Sequence, residues 1–402
     1  MAPYGDPPVH WSETTHIQWK VPVPGEGNAS PVVWGDQVFV VTAIRMDRSV
    51  EILPKLQHEP PGGYKTERPK NFYRFEVLSL DRRTGKTRWR QTAIDALPHE
   101  GRQGTNTYAS ASPSTDGQRL YVSFGSRGIY GYDLQGNLQW KRDLGQMITR
   151  LGWGEGASPT LYGDSLVVNW DHEGRSFLTV LDTKTGKSRW TVDRDEVTSW
   201  ATPLVLPRDG GAQIVVNATK RTTGYDFASG KMLWQCGGQT VNVIPSPVQF
   251  DDMAIAMSGF RGTAAYAIPL GSIGDITGSD RIAWHYKGGT PYVPSPLLLG
   301  DRLYFTKENT AILTCLNART GKVLLEAQRL PGLKNLYASP VAAHGRIYFV
   351  SREGVALVVK DQPKLEVLAT NHLDDGFDAS PAIVGRQLFL RGKGHLYCIT
   401  EQ

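Results

Sequence analysis

A Ser-Pro dipeptide recurs along this chain, at Ser30-Pro31, Ser112-Pro113, Ser158-Pro159, Ser246-Pro247, Ser295-Pro296, Ser339-Pro340 and Ser380-Pro381, with Thr202-Pro203 as the one variant. After a first gap of 82 residues the prolines stand 46, 44, 44, 49, 44 and 41 residues apart. A period in the mid-forties with strand-like content is the signature of a radial array. It constrains the fold far more tightly than the function.

Each unit repeats well beyond its proline. A short apolar run leads to a Gly/Asp turn, as at Gly35-Asp36, Gly163-Asp164 and Gly300-Asp301, and then to a run rich in Val, Tyr and Phe. Such turns are hairpin punctuation, because Gly accepts a positive φ and Asp bonds its own turn. A second, variable turn follows, then a third run ending in Asp. Asp81, Asp182 and Asp226 each precede a Gly by four residues (Gly85, Gly186, Gly230), and each Gly precedes a Trp by four (Trp89, Trp190, Trp234). Asp133 to Trp140 is the same turn shortened by one residue, and Asn317…Gly321…Leu325 keeps the spacing without the Trp. Four short strands per unit with no sustained helical period describe a propeller blade.

The expected fold is therefore all-β: an eight-bladed β-propeller of four-stranded antiparallel blades, one domain over residues 1–402. His16-Ile17-Gln18-Trp19-Lys20 reads as a fourth strand with no blade of its own, whereas the last unit ends after three strands at Gly394–Ile399. Residues 16–20 are thus expected to complete the C-terminal blade and close the ring, leaving no open edge. No apolar run is long enough for a transmembrane helix. Met1-Ala2-Pro3 opens directly onto polar, Pro-rich sequence, so a signal peptide is expected to be absent or already removed. The net charge of +5 is modest and its basic residues are scattered, which argues against a nucleic-acid track. Cys236, Cys315 and Cys398 fall in different blades and form no CxxC, so neither a disulfide framework nor a zinc site is implied.

The Asp-x-x-Thr-Gly-Lys-x-x-Trp turns (Asp81 to Trp89, Asp182 to Trp190), repeated with the Ser-Pro strands, resemble the tryptophan-docking repeat of the quinoprotein propeller superfamily. The resemblance spans essentially the whole chain. It implies an eight-bladed fold and either of two activities. One branch of that superfamily holds dehydrogenases that use pyrroloquinoline quinone (PQQ) and calcium. The other holds non-enzymatic members, such as the lipoprotein of the outer-membrane barrel assembly machine, which bind proteins. The chain departs from the first branch in lacking a vicinal Cys-Cys pair, a CxxCH haem motif and the usual extra length. It departs from the assembly lipoprotein in lacking an N-terminal lipidation cysteine. In size it stands nearer the second branch, and fold alone does not choose between them.

Strand order indicates where a site would lie. The Gly/Asp and Thr-Gly-Lys turns share one regular face. The loops approaching each Ser-Pro and the variable second turns share the other, and function concentrates on variable loops held by a rigid scaffold. The variable turns place Arg127, His172, Lys220, Arg261, Lys307, Arg352 with Glu353, and Lys393 on that face. So many cations near one mouth would focus field on an anionic ligand or an acidic partner surface. The approach loops add aromatics: Tyr108, Trp153, Trp200, Tyr292, Tyr337 and Phe377. Trp153 and Trp200 fall outside the repeat position and suggest a stacking floor or protein hot spots. Glu155 and Asp378 are the carboxylates of the same loops. A first-blade insertion from Arg45 to Arg74 belongs to this face as a lid or docking arm.

Catalytic motifs such as HExxH, GxSxG and Walker sequences are absent, so no catalytic residue and no metal ligand set is assigned. The expected function is a non-catalytic, periplasmic or otherwise extracytoplasmic monomer without a cofactor, binding a protein or a glycan-like or anionic ligand on its variable face. The alternative is a PQQ- and calcium-dependent dehydrogenase of alcohols or sugars, with Glu155, Asn169, Asp171 and Trp200 as raw material. A lower alternative is a propeller hydrolase or lyase using His172 or His285.

Overall fold

The computed structural model describes residues 4–56, 58–208 and 210–401. It contains eight antiparallel blades, and the only helices among the described residues are two single 3₁₀ turns, Gly125–Arg127 and Arg150–Gly152. Blade 1 runs through Val32–Trp34, Gln37–Ser49, Asn71–Asp81 and Thr87–Ala96. Blade 2 uses Ser114–Thr115, Arg119–Ser123, Ile129–Asp133 and Leu138–Arg142, and blade 3 uses Thr160–Tyr162, Ser165–Trp170, Phe177–Asp182 and Ser188–Asp193. Blades 4 to 8 begin at Leu204, Val248, Leu297, Val341 and Ala382. The chain is an eight-bladed β-propeller, as its period implies. Ile17–Pro22 pairs beside His395–Ile399 and supplies the fourth strand of blade 8. Blade 4 departs from the four-strand pattern, because Gly274–Asp275 pairs in parallel with its outer strand Met232–Gly237. That short addition covers an otherwise open edge.

The chain forms two compact units. Val21–Trp200 carries blades 1 to 3, and the residues on either side of it carry blades 4 to 8. Each unit has its own cores of inward-facing strand residues. Between blades 1 and 2, for example, Phe39, Val41, Phe75, Val77, Val122 and Tyr130 pack together.

The recurring residues have identifiable work. The Ser-Pro serine accepts the backbone N–H of the equivalent serine one blade earlier. Ser112 Oγ takes Ser30 N–H at 3.0 Å and Ser158 Oγ takes Ser112 N–H at 2.9 Å. In the larger unit Ser246, Ser295, Ser339 and Ser380 accept from Thr202, Ser246, Ser295 and Ser339 at 2.9–3.1 Å. A hydroxyl at this point therefore satisfies a backbone donor that no strand pairs. The proline that follows has no N–H to satisfy.

The turn signature is equally local. Asp81 Oδ1 accepts the N–H groups of Arg83 and Thr84, and Asp182 Oδ1 those of Lys184 and Thr185. Three outer-strand tryptophans dock on the next blade, whereas Trp234 Nε1 donates to Gln213 Oε1 of its own blade at 3.1 Å. Trp89 Nε1 donates to Leu134 O, Trp140 Nε1 to Thr183 O and Trp284 Nε1 to Ala318 O, each at 2.9 Å. The indole lies against the neighbouring turn glycine. A Cβ added to Gly136, Gly186 or Gly321 would stand 2.8, 2.5 or 2.8 Å from that ring.

The first-blade insertion is shorter as a loop than the Arg45–Arg74 span read from sequence. The two strands extend to Ser49 and from Asn71, with Arg45 paired to Tyr73. Alternation of charged and apolar residues there hides a ladder that continues past the core. The tip lies back on the unit: Lys65 N–H donates to Leu151 O at 2.9 Å and Thr66 Oγ1 to Gly152 O at 2.5 Å.

Candidate functional site

The variable-loop side of Val21–Trp200 carries a pocket built from five segments together with Phe75 of blade 1. The loop between blades 1 and 2 gives Pro98–Gly101, Thr107, Tyr108, Ser110 and Ala111, and the variable turn of blade 2 gives Ser123–Gly125 and Arg127. The loop between blades 2 and 3 gives Met147, Thr149 and Gly154–Ala157. Val168–Asp171 comes from blade 3, and Thr198–Trp200 from the loop that leaves it.

Two carboxyl groups and one imidazole converge here. One ligand atom each of His99, Glu100 and Glu155 lies within 4.8 Å of the others. Glu100 is 2% exposed; its Oε1 accepts Thr149 Oγ1–H at 2.5 Å and its Oε2 accepts Thr149 N–H at 3.1 Å. Glu155 accepts the N–H and the hydroxyl of Ser126, the former at 2.7 Å. Gly125 makes this approach possible, because a Cβ there would overlap the Glu155 carboxylate, and its φ is +53°. Burial, and then the charge of Glu155, pushes the Glu100 carboxyl up to about 8, and burial raises Glu155 as well. Two like charges in a desolvated site cannot both ionise cheaply. Burial and the nearby Arg127 hold His99 down at about 4, so it is neutral.

The neutral imidazole is fully used. Arg127 Nη2 donates to His99 Nδ1 at 2.7 Å, which makes Nε2 the protonated nitrogen facing Met147 O at 2.6 Å. Asp171 is equally committed: Arg194 Nε and Nη2 reach its two oxygens at 2.7 and 3.0 Å, with both side chains buried. Beside that pair, Asn169 Nδ2 donates to Asp171 Oδ2 at 3.1 Å. Since a carboxylate only accepts, the amide orientation is fixed and Asn169 Oδ1 is left as an acceptor. Asn169 is 2% exposed, and that oxygen finds no donor among the described residues. The aromatic walls are anchored as well: Trp200 Nε1 donates to Gly154 O at 2.7 Å and Tyr108 Oη to Glu100 O at 3.1 Å.

These residues do not fit a calcium–quinone pair. Calcium takes six to eight oxygens, whereas the pocket offers three carboxyls, those of Glu100 and Glu155 hydrogen-bonded to Thr149 and Ser126 and that of Asp171 held by Arg194, beside the Arg127 guanidinium. No vicinal cysteine exists to flank a quinone; Cys236, Cys315 and Cys398 are single, buried thiols. A transition metal fares no better, since both ring nitrogens of His99 are engaged.

Of the residues singled out from sequence, Tyr108, Arg127, Glu155, Asn169, Asp171 and Trp200 line this pocket. Trp153 lies in the same loop, where its carbonyl accepts from Gln103 N–H and Asn106 Nδ2, but it does not line the cavity. His172 is a structural histidine. Its Nδ1 accepts the N–H groups of Ile148 and Gly174 and its Nε2 faces Arg175 O, so it has no nitrogen to spare for catalysis. Lys220, Arg261, Tyr292, Lys307, Tyr337, Arg352, Glu353, Asp378 and Lys393 belong to the other unit. There Arg352 pairs with Asp378 at 2.7 Å and covers the Tyr337 ring, while Glu353 accepts from Asn335. Arg261 lies over Phe260, which stacks on Tyr292. Lys220, Lys307 and Lys393 are exposed at their turns. Sequence reasoning missed His99 and Glu100, which sit in a loop with no counterpart in the repeat; a carboxylate between Pro98 and Gly101 was the only signal.

No curated protein sequence matches the chain. Among solved structures, BamB from Moraxella catarrhalis is similar at 14% identity and a TM-score of 0.59, over 90% of this chain and 100% of that one. A europium-containing methanol dehydrogenase is similar at 10% identity and a TM-score of 0.63, over 94% and 85% of the two chains. The quinohemoprotein alcohol dehydrogenase from Comamonas testosteroni gives 9% identity and a TM-score of 0.61, over 96% and 76%. At such identities these likenesses establish the fold alone. A family model described as outer membrane protein assembly factor BamB matches residues 74–326 and 279–402, and the chain belongs to that family.

Proposed function

We propose that this chain is a non-catalytic, extracytoplasmic binding propeller, active as a monomer and without a cofactor, that takes a protein- or glycan-borne ligand on its variable-loop side. The pocket of Val21–Trp200 is its recognition point. The observation that carries the reading is the cavity itself, walled by Trp200 and Tyr108 and lined by the Glu100 and Glu155 carboxyls and Arg127. Aromatic rings with a few placed polar groups suit a polar, flat-faced ligand.

Binding is favoured over catalysis because the titratable groups are spent on the scaffold. Glu100 bonds to Thr149, Glu155 to Ser126, and His99 to Met147 and Arg127. An activated nucleophile needs a base within hydrogen-bond reach, and His99 has no nitrogen left for one. Family membership, in a group described as an assembly factor of outer membrane proteins, supports the binding role and the compartment.

Saturation-transfer NMR on the intact chain with D-glucose, N-acetyl-D-glucosamine and D-glucosamine tests the reading. Signals from one or more sugars that vanish in Trp200→Ala support it, and no signal from any of them counts against it. A second arm adds PQQ and calcium. Stoichiometric binding with dye-linked oxidation of an alcohol would establish the dehydrogenase reading instead.

A further inference from the structure

We infer that the tip of the first-blade insertion, Pro60–Glu67, is a strap that opens as a unit and in opening releases the two loops that shape the pocket, an inference that rests on the pocket being the recognition point. The strap lies on both loops. Lys65 N–H donates to Leu151 O at 2.9 Å, and Thr66 Oγ1–H to Gly152 O at 2.5 Å. A Cβ on Gly152 would stand 2.4 Å from the Tyr64 ring. One on Gly101 would stand 2.4 Å from Thr66 Oγ1 and 2.6 Å from Glu67 O. Glycine at both points lets the strap approach this closely.

The loops so held carry one wall of the pocket. Gly101 follows Glu100, and Glu100 accepts both the N–H and the hydroxyl of Thr149. Gly152 N–H donates to Thr149 O at 3.0 Å, and Gly154 N–H to Thr149 Oγ1 at 2.9 Å. Gly154 O in turn receives Trp200 Nε1–H at 2.7 Å. Hydrogen bonds therefore connect the strap to the aromatic wall, although no described strap residue lines the cavity.

The strap is built as a separate part. The ladder below it ends with Val50 N–H on Lys70 O at 2.9 Å, and Pro60–Glu67 contains no strand. Arg68 Nη1 donates to Pro54 O at 2.9 Å and ties the two limbs together. Among the described residues two hydrogen bonds fasten the strap to the pocket loops. An exposed loop with so small a hold opens more readily than the blade strands. Leu151, whose carbonyl takes the Lys65 bond, is held at a φ of +55°. A side chain disfavours that conformation, which persists only where the surroundings enforce it. Lifting the strap removes that restraint and lets Arg150–Gly152 relax.

Hydrogen–deuterium exchange of the intact chain at pH 7 tests this without a ligand. Two variants lift the strap: Thr66→Val keeps the shape and loses the donor, and Gly101→Ala adds a Cβ that displaces Thr66. Exchange over 60–67 and 149–156 should rise together by about fivefold or more, the scale of one lost hydrogen bond. The blade 3 strand Phe177–Asp182 should be unchanged. Thr66→Val decides the matter if circular dichroism shows Gly101→Ala unfolded. Any other pattern overturns the inference: a rise confined to one of the two segments, a rise in neither, or an equal rise in Phe177–Asp182. Each of those results leaves the pocket reading intact, whereas that reading fails on its own if no sugar gives a saturation-transfer signal.

Discussion

Docking of Trp140 on the next blade's turn makes a sharp prediction at Gly186. That residue has a φ of +66°, and a Cβ added there would lie 2.5 Å from one carbon of the Trp140 ring and 2.8 Å from another. Trp140 is 8% exposed and held by its N–H to Thr183 O, so the ring has little room to retreat. Gly163, in the same blade, has a φ of +55° with nothing within 4 Å of its would-be Cβ. Gly163→Ala therefore incurs only the left-handed backbone penalty of ~1–2 kcal/mol. Gly186→Ala incurs that penalty plus overpacking of ~1–3 kcal/mol, for a total of about 2–5 kcal/mol. Urea unfolding followed by far-ultraviolet circular dichroism gives both values. Equal losses for the two variants would refute the claim that the turn glycine exists to receive the indole.

Further predictions concern the serines and the buried carboxyl. Ser112→Ala removes the acceptor of Ser30 N–H and should cost ~1–3 kcal/mol; Ser112→Thr, which keeps the hydroxyl, should recover most of it in the same unfolding assay. Burial lifts Glu100 in the folded chain from the ordinary 4.5 to about 8. The folded state therefore holds the extra proton between those values, and stability is full below the lower one and falls as pH rises toward the upper one. In melting curves from pH 5 to 9, Glu100→Gln should flatten part of that decline and match or exceed the parent at pH 9.

What the sequence made legible was whatever the repeat imposes. Ser/Thr-Pro spacing located every blade because it is a local hydrogen-bond requirement met eight times, and the Asp-Gly-Trp turn, a local φ requirement, located a tryptophan in four of them. The closing strand at His16–Lys20 was legible as an unmatched fragment. The site was not. Glu155 and Trp200 stood out as departures from the repeat, but Glu100 and His99 sit in an irregular loop whose path only tertiary packing sets. His172 looked functional by composition, yet its ring serves the backbone of its own turn and the preceding loop. The basic turns read as an anion-attracting set, whereas Arg127 and Arg352 are each spent on a neighbour. Partner choice of that kind depends on residues far apart in the chain.

The most direct test of the account is where a ligand sits. Saturation transfer from the parent chain to whichever of the three sugars gives a signal should be lost in Trp200→Ala and retained in Arg261→Glu, which alters an exposed turn of the other unit. Retention in Trp200→Ala with loss in Arg261→Glu would contradict the pocket and return recognition to the cationic turns.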